Sequence, residues 1–158
     1  MGNIFAGSEV VELGIQIEKN GKDFYETLAA QSKDAKARDS FGFLAREEEK
    51  HIAVFKGILN KTEEYQPPQS YPGEYLAYMN ALASEHVFTQ KDKGRSVAKA
   101  IKTDREAVNM AIGFEKDSII FYEGMKNTVP GHEQKIIDEL ILQEQAHVSK
   151  LVVLKMSL

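Results

Sequence analysis

The chain has 158 residues, 42% hydrophobic and 28% charged, with a net charge of −4. That is enough for one domain with a real core, and it gives no basic footprint for nucleic acid or an anionic membrane surface. Zero cysteines exclude disulfides, thiolate zinc sites, cysteine-ligated iron–sulfur centres and thiol catalysis. With no apolar run long enough to span a bilayer and no charged-then-apolar leader, the expected location is the cytoplasm, with no membrane partner.

A first helix is predicted from an N-cap at Ser8 to about Ala30, with Val11, Gly14, Glu18, Gly21, Tyr25 and Leu28 on one stripe spaced alternately three and four apart. After a short polar turn, a second runs from about Ala35 to Asn60 with Phe41, Leu44, Glu48, His51, Phe55 and Ile58 aligned, so the two lie antiparallel. From 61 to 102 the pattern breaks down. Gln66 to Gly73, with three prolines, reads as loop, and Glu74 to Glu85 reads as a short helix turning Leu76, Met79 and Leu82 inward. Ser96 to Ile101 allows another turn or two. Thr103-Asp104-Arg105-Glu106 has the form of a capping box and opens a third long helix to about Lys126, with Val108, Ala111, Glu115, Ser118, Tyr122 and Met125 on its stripe. Pro130 suits the entry to a fourth, running to about Lys155 with Ile137, Leu140, Glu144, His147, Leu151 and Leu154 aligned.

The halves repeat. Ile17 to Glu26 aligns with Phe114 to Glu123, sharing Glu, Lys, Phe, Tyr and Glu, and a Glu-x-x-His pair follows at nearly the same offset in each half. The chain therefore reads as a duplicated helical hairpin. If a two-fold relates the hairpins, the second and third long helices run parallel, and the chain must return along the bundle, a path on the order of 35 Å at about 1.5 Å per residue. Residues 61–102 are then a crossover in an all-α four-helix bundle.

One layer of that bundle gathers Glu18, Glu48, His51, Glu115, Glu144 and His147, with apolar layers above and below. A lone Glu-x-x-His is ordinarily a solvated helix face, as Glu47 and Glu49 are here. Two of them, repeat-related and on the inward stripes beside two further glutamates, call for another reading. Burying even one unpaired carboxylate costs several kcal/mol, and four in one layer also repel one another. Two divalent cations would cancel the charge and keep the imidazoles neutral, and residues three apart on a helix share a face and can reach one ion. Small side chains at Gly21 and Ser118 either pack helices or leave room for metals and a small oxidant. His86 and His132 lie off the stripes and read as loop or solvent residues.

On these motifs, across all four long helices, the chain resembles the rubrerythrin-like branch of the ferritin-like superfamily of di-iron carboxylate proteins. The resemblance implies that Glu48 and Glu144 bridge two iron ions, that Glu18 and Glu115 are terminal ligands, and that His51 and His147 each complete one ion. Manganese or another divalent metal is the alternative. It also implies that Tyr25 and Tyr122 hydrogen-bond to ligand carboxylates. Two departures stand out: rubrerythrins carry a further glutamate where this chain has Ser118, and their usual rubredoxin domain has four cysteines where this chain has none.

The functional expectation is a di-iron oxidoreductase, peroxidase- or ferroxidase-like, that oxidises Fe(II) with hydrogen peroxide or dioxygen in oxidative-stress defence or iron handling. An external electron donor would serve it. The alternatives are an iron binding, storage or delivery protein without rapid turnover, and an interaction module with structural metals. By resemblance a homodimer is expected, with the crossover helix from Tyr75 to Leu82 as its contact.

Overall fold

The computed structural model describes residues 7–63 and 73–158. The proline-containing stretch expected as loop lies outside them except for Gly73. The described residues form helices α1 (Gly7–Gln31), α2 (Ala35–Glu63), α3 (Gly73–Glu85), α4 (Gly94–Lys99), α5 (Asp104–Met125) and α6 (Gly131–Met156), with 3₁₀ turns at Val87–Thr89 and Lys126–Thr128 and no strand among them. None of these helices is long and apolar enough to cross a membrane.

Helix ends follow local chemistry. Thr103 caps α5, its hydroxyl accepting from the Glu106 amide at 3.1 Å, while the Glu106 carboxylate turns back to the Lys102 amide at 3.2 Å. Asp34 accepts from the Ala37 amide at 2.9 Å in the same manner ahead of α2. Ser8 is not the cap of α1. The helix already includes Gly7, so Ser8 sits in its first turn, a shift of the size usual at fraying ends.

Side-chain pairs fix how the helices run. The Asp34 amide donates to Asp104 at 3.0 Å, so α2 and α5 start at the same end and are parallel. Lys61 meets Glu133 at 3.0 Å, joining the end of α2 to the start of α6, so these two are antiparallel. The hairpins α1–α2 and α5–α6 face each other around a core that includes Phe24, Leu28, Phe41, Leu44, Phe55, Ile58, Ile137, Leu140 and Leu151. This is an all-α, ferritin-like bundle, and α3 to α4 form the crossover that two parallel middle helices demand.

Asn20 ties that crossover down. Its side-chain amide donates to the carbonyls of Phe88 (2.7 Å) and Gln90 (2.6 Å), and its oxygen accepts from the amides of Lys93 and Gly94, both at 3.0 Å. Gly94 comes so close that a Cβ there would overlap the backbone oxygen of Asn20. On α3, Met79 is buried, and Leu76 and Leu82 pack partly buried against the core. The Tyr75 hydroxyl donates to the Gly124 carbonyl at 2.5 Å, so this helix turns its apolar side to α5 and leaves Tyr78 half exposed.

Candidate metal centre

The inward stripes of the four long helices deliver one titratable layer. α1 supplies Glu18, α2 Glu48 and His51, α5 Glu115, and α6 Glu144 and His147; none is more than 5% exposed. They fall into two groups, Glu18, Glu48, His51 and Glu144, and Glu48, Glu115, Glu144 and His147, in each of which four donor atoms lie within 4.8 Å of one another. Glu48 and Glu144 belong to both. His51 Nδ1 stands 2.8 Å from Glu144 and 3.6 Å from Glu18, and His147 Nδ1 stands 3.4, 3.8 and 3.9 Å from Glu144, Glu115 and Glu48.

Such a layer is electrostatically unhappy on its own. Burial first, then the neighbouring carboxylates, push Glu48 and Glu115 well above the usual carboxylate range. Burial also opposes the charge on Glu144, but contacts with Glu115, His147 and His51 hold it below that range. For the two imidazoles burial works against protonation. Their carboxylate neighbours outweigh it, carrying His51 up to about 11 and His147 to about 10. Geometry nevertheless leaves the inward atoms without hydrogen bonds: Glu18 Oε2, Glu48 Oε1, both oxygens of Glu144, and Nδ1 of each histidine are buried and unpartnered. Oxygen and imidazole donors converging in two overlapping groups fit a pair of divalent cations.

The profile of the rubrerythrin family matches residues 9–155. The chain belongs to the rubrerythrin family. Comparison with curated proteins and with solved structures returns no match. Membership implies metal binding by the buried carboxylate and histidine cluster, and the contacts around the rubrerythrin layer are arranged to orient it. Tyr25 on α1 donates to Glu115 on α5 at 2.5 Å, and Tyr122 on α5 donates to Glu18 on α1 at 2.6 Å. Burial and the surrounding carboxylates raise both phenols well above their ordinary range, so they keep their protons and serve as donors. Gly21 lies against Glu48, where a Cβ would stand 2.6 Å from Oε2. His51 Nε2 donates to the Gln143 side-chain oxygen at 2.6 Å, which leaves Nδ1 as the nitrogen facing the carboxylates.

Gln143 escapes a reading of the sequence because it is an exposed polar residue on a helix, which carries no pattern. His86 needs a correction. It does lie between elements, after α3, but it is only 2% exposed, its ring stacked at 5° on Phe114. Nδ1 accepts from the Phe88 amide at 3.3 Å, so Nε2 carries the proton to Ser118 Oγ at 3.1 Å, and Ser118 in turn donates to the Phe114 carbonyl at 2.9 Å. Burial lowers His86 to about 4, keeping it neutral. It fills the place over Ser118 and joins neither donor group. His132 is exposed and pairs with Glu133 at 3.0 Å.

Proposed function

We propose that this chain is a di-iron carboxylate protein that oxidises Fe(II) with hydrogen peroxide or dioxygen, in oxidative-stress defence or iron handling. The observation that carries the reading is the set of buried, unpartnered donor atoms of Glu18, Glu48, His51, Glu144 and His147 converging in two overlapping groups that Glu115 completes. Glu48 and Glu144, common to both donor groups, would be shared between the ions, with Glu18 and His51 holding one and Glu115 and His147 the other. Iron held there would supply one electron per Fe(II) oxidised to Fe(III), and two such electrons with two protons take one hydrogen peroxide to two waters. Tyr25 and Tyr122 are positioning residues that hold the terminal carboxylates in place, and Gly21 leaves space for the Glu48 carboxylate. Electrons for repeated turnover come from a donor outside the described residues, and a second copy of the chain is the expected assembly partner.

Elemental analysis with anomalous diffraction, on protein purified without chelator, tests the centre. Two ions per chain in wild type and loss of both in Glu48→Ala and Glu144→Ala are expected; unchanged metal content in those variants removes the assignment. Ser118 favours a second reading, iron storage or delivery without rapid turnover, because its hydroxyl is engaged with His86 and Phe114 and offers the ions no ionisable group. Fe(II) oxidation recycled many times by an external reductant supports the first reading; a single stoichiometric oxidation supports the second.

A further inference from the structure

The repeat that builds the two halves of the centre is broken, among other places, at the residue that meets the outer nitrogen of each histidine. Gln143-Glu144-Gln145-Ala146-His147 aligns with Glu47-Glu48-Glu49-Lys50-His51. Gln143 of α6 accepts the outer N–H of His51 of α2 at 2.6 Å. Two-fold symmetry would have Glu47 of α2 accept the outer N–H of His147 of α6, and it does not. Glu47 is turned to Lys50 at 3.0 Å, and Lys50 stands where the other half has the chargeless Ala146. Among the described residues nothing hydrogen-bonds to His147 Nε2, and that nitrogen is not one of the sealed, unpartnered atoms, though the residue as a whole is only 3% exposed. The His147 ring packs edge-on against Phe43, which is itself 36% exposed.

The remaining contacts do not compensate. Each terminal carboxylate receives one tyrosine hydroxyl, at 2.5 and 2.6 Å, and Glu48 and Glu144 are common to both groups. Among the hydrogen bonds made to the donors themselves, what distinguishes the groups is therefore the imidazole. An acceptor on the outer nitrogen fixes ring and tautomer and makes the inner nitrogen a better ligand, worth roughly ten- to a hundredfold in metal affinity. His51 has that support and His147 lacks it.

We infer that the two ions are held unequally: the one at Glu18 and His51 is retained, and the one at Glu115 and His147 exchanges with divalent cations in solution. This rests on the proposed two-ion centre and adds a direction of loading to it. The retained ion keeps Glu48 and Glu144 in place while the other position fills and empties through the His147 side of the bundle.

Titration of the metal-free protein with Zn(II), followed through the ring signals of His51 and His147 by NMR, tests it. His51 is expected to shift over the first equivalent and His147 over the second, with affinities roughly tenfold or more apart. Two exposed substitutions probe the cause without touching a ligand. Gln143→Ala is expected to weaken the first step toward the second, and Lys50→Ala, which frees Glu47 to accept from His147, to tighten the second toward the first. Both rings shifting together in wild type, His147 shifting first, or Gln143→Ala leaving the steps equally far apart would overturn the inference. Joint shifts leave the two-ion centre standing, whereas no response of either ring removes the centre as well.

Discussion

A methyl group at Gly21 would stand 2.6 Å from Glu48 Oε2, and the atom it meets is the end of a flexible side chain. The fold can yield there; the shared carboxylate cannot yield without leaving its place. Alanine also gains up to about 1 kcal/mol over glycine inside a helix. Gly21→Ala is therefore expected to match or exceed wild type in melting temperature without metal, and to take up less metal in a titration. A drop in both together would mean that Gly21 serves packing alone. Tyr122→Phe separates the same quantities differently. It leaves Glu18 Oε1 buried without its donor, at a cost of about 1–3 kcal/mol, and a Zn(II) titration is expected to show weaker binding at the Glu18 position while Glu115, held by Tyr25, keeps its affinity.

At the level of elements, the crossover depends on one amide. Asn20 uses all four of its hydrogen-bonding positions on Phe88, Gln90, Lys93 and Gly94, an arrangement that aspartate or leucine cannot reproduce. Asn20→Leu is expected to raise hydrogen exchange over residues 88–98 by at least tenfold while the amides of α2 and α6 stay protected; exchange rising everywhere alike would make Asn20 a residue of the whole fold. The long helices were legible in the sequence because burial leaves a mark at every third or fourth residue, and the ligands were legible because glutamate and histidine occupied those marked positions twice. In the crossover only α3 left such a mark, at Leu76, Met79 and Leu82. Asn20 lies just off the stripe of α1, and His86 sits in a connection without periodicity, so its burial under Phe114 depends on a tertiary contact with no local counterpart. Gln143 likewise gains its meaning only once α2 and α6 lie side by side.

For the whole molecule, charge in the central layer sets how stability responds to pH. Without metal, Glu48 and Glu115 have folded-state pKa values raised above their unfolded ones, so their contribution is fully present below about pH 4.5 and is lost as pH rises toward the folded values. His51 and His147 act in the same sense, contributing fully below 6.5 and losing that contribution as pH rises through about 10 and 11. Glu144, lowered, contributes above 4.5 and loses its share only in stronger acid. Metal binding needs the opposite protonation, carboxylates ionised and imidazoles neutral, and strengthens with pH. Thermal melts from pH 5 to 8 are expected to fall for the metal-free protein and to separate progressively from those of the Zn(II)-loaded protein; a constant gap would mean that the layer binds no metal through these groups.

The crossed tyrosines carry one more consequence. Tyr25 serves a glutamate of the opposite hairpin, Tyr122 returns the service, and each donor group draws on both hairpins. Neither hairpin is a half-sized version of the protein with its own half-sized activity; each is an unfinished mould for the other. A chain nicked between Glu63 and Gly73 would keep all six donors but could hold an ion only while its fragments stay together, so bound cations would act as rivets between them.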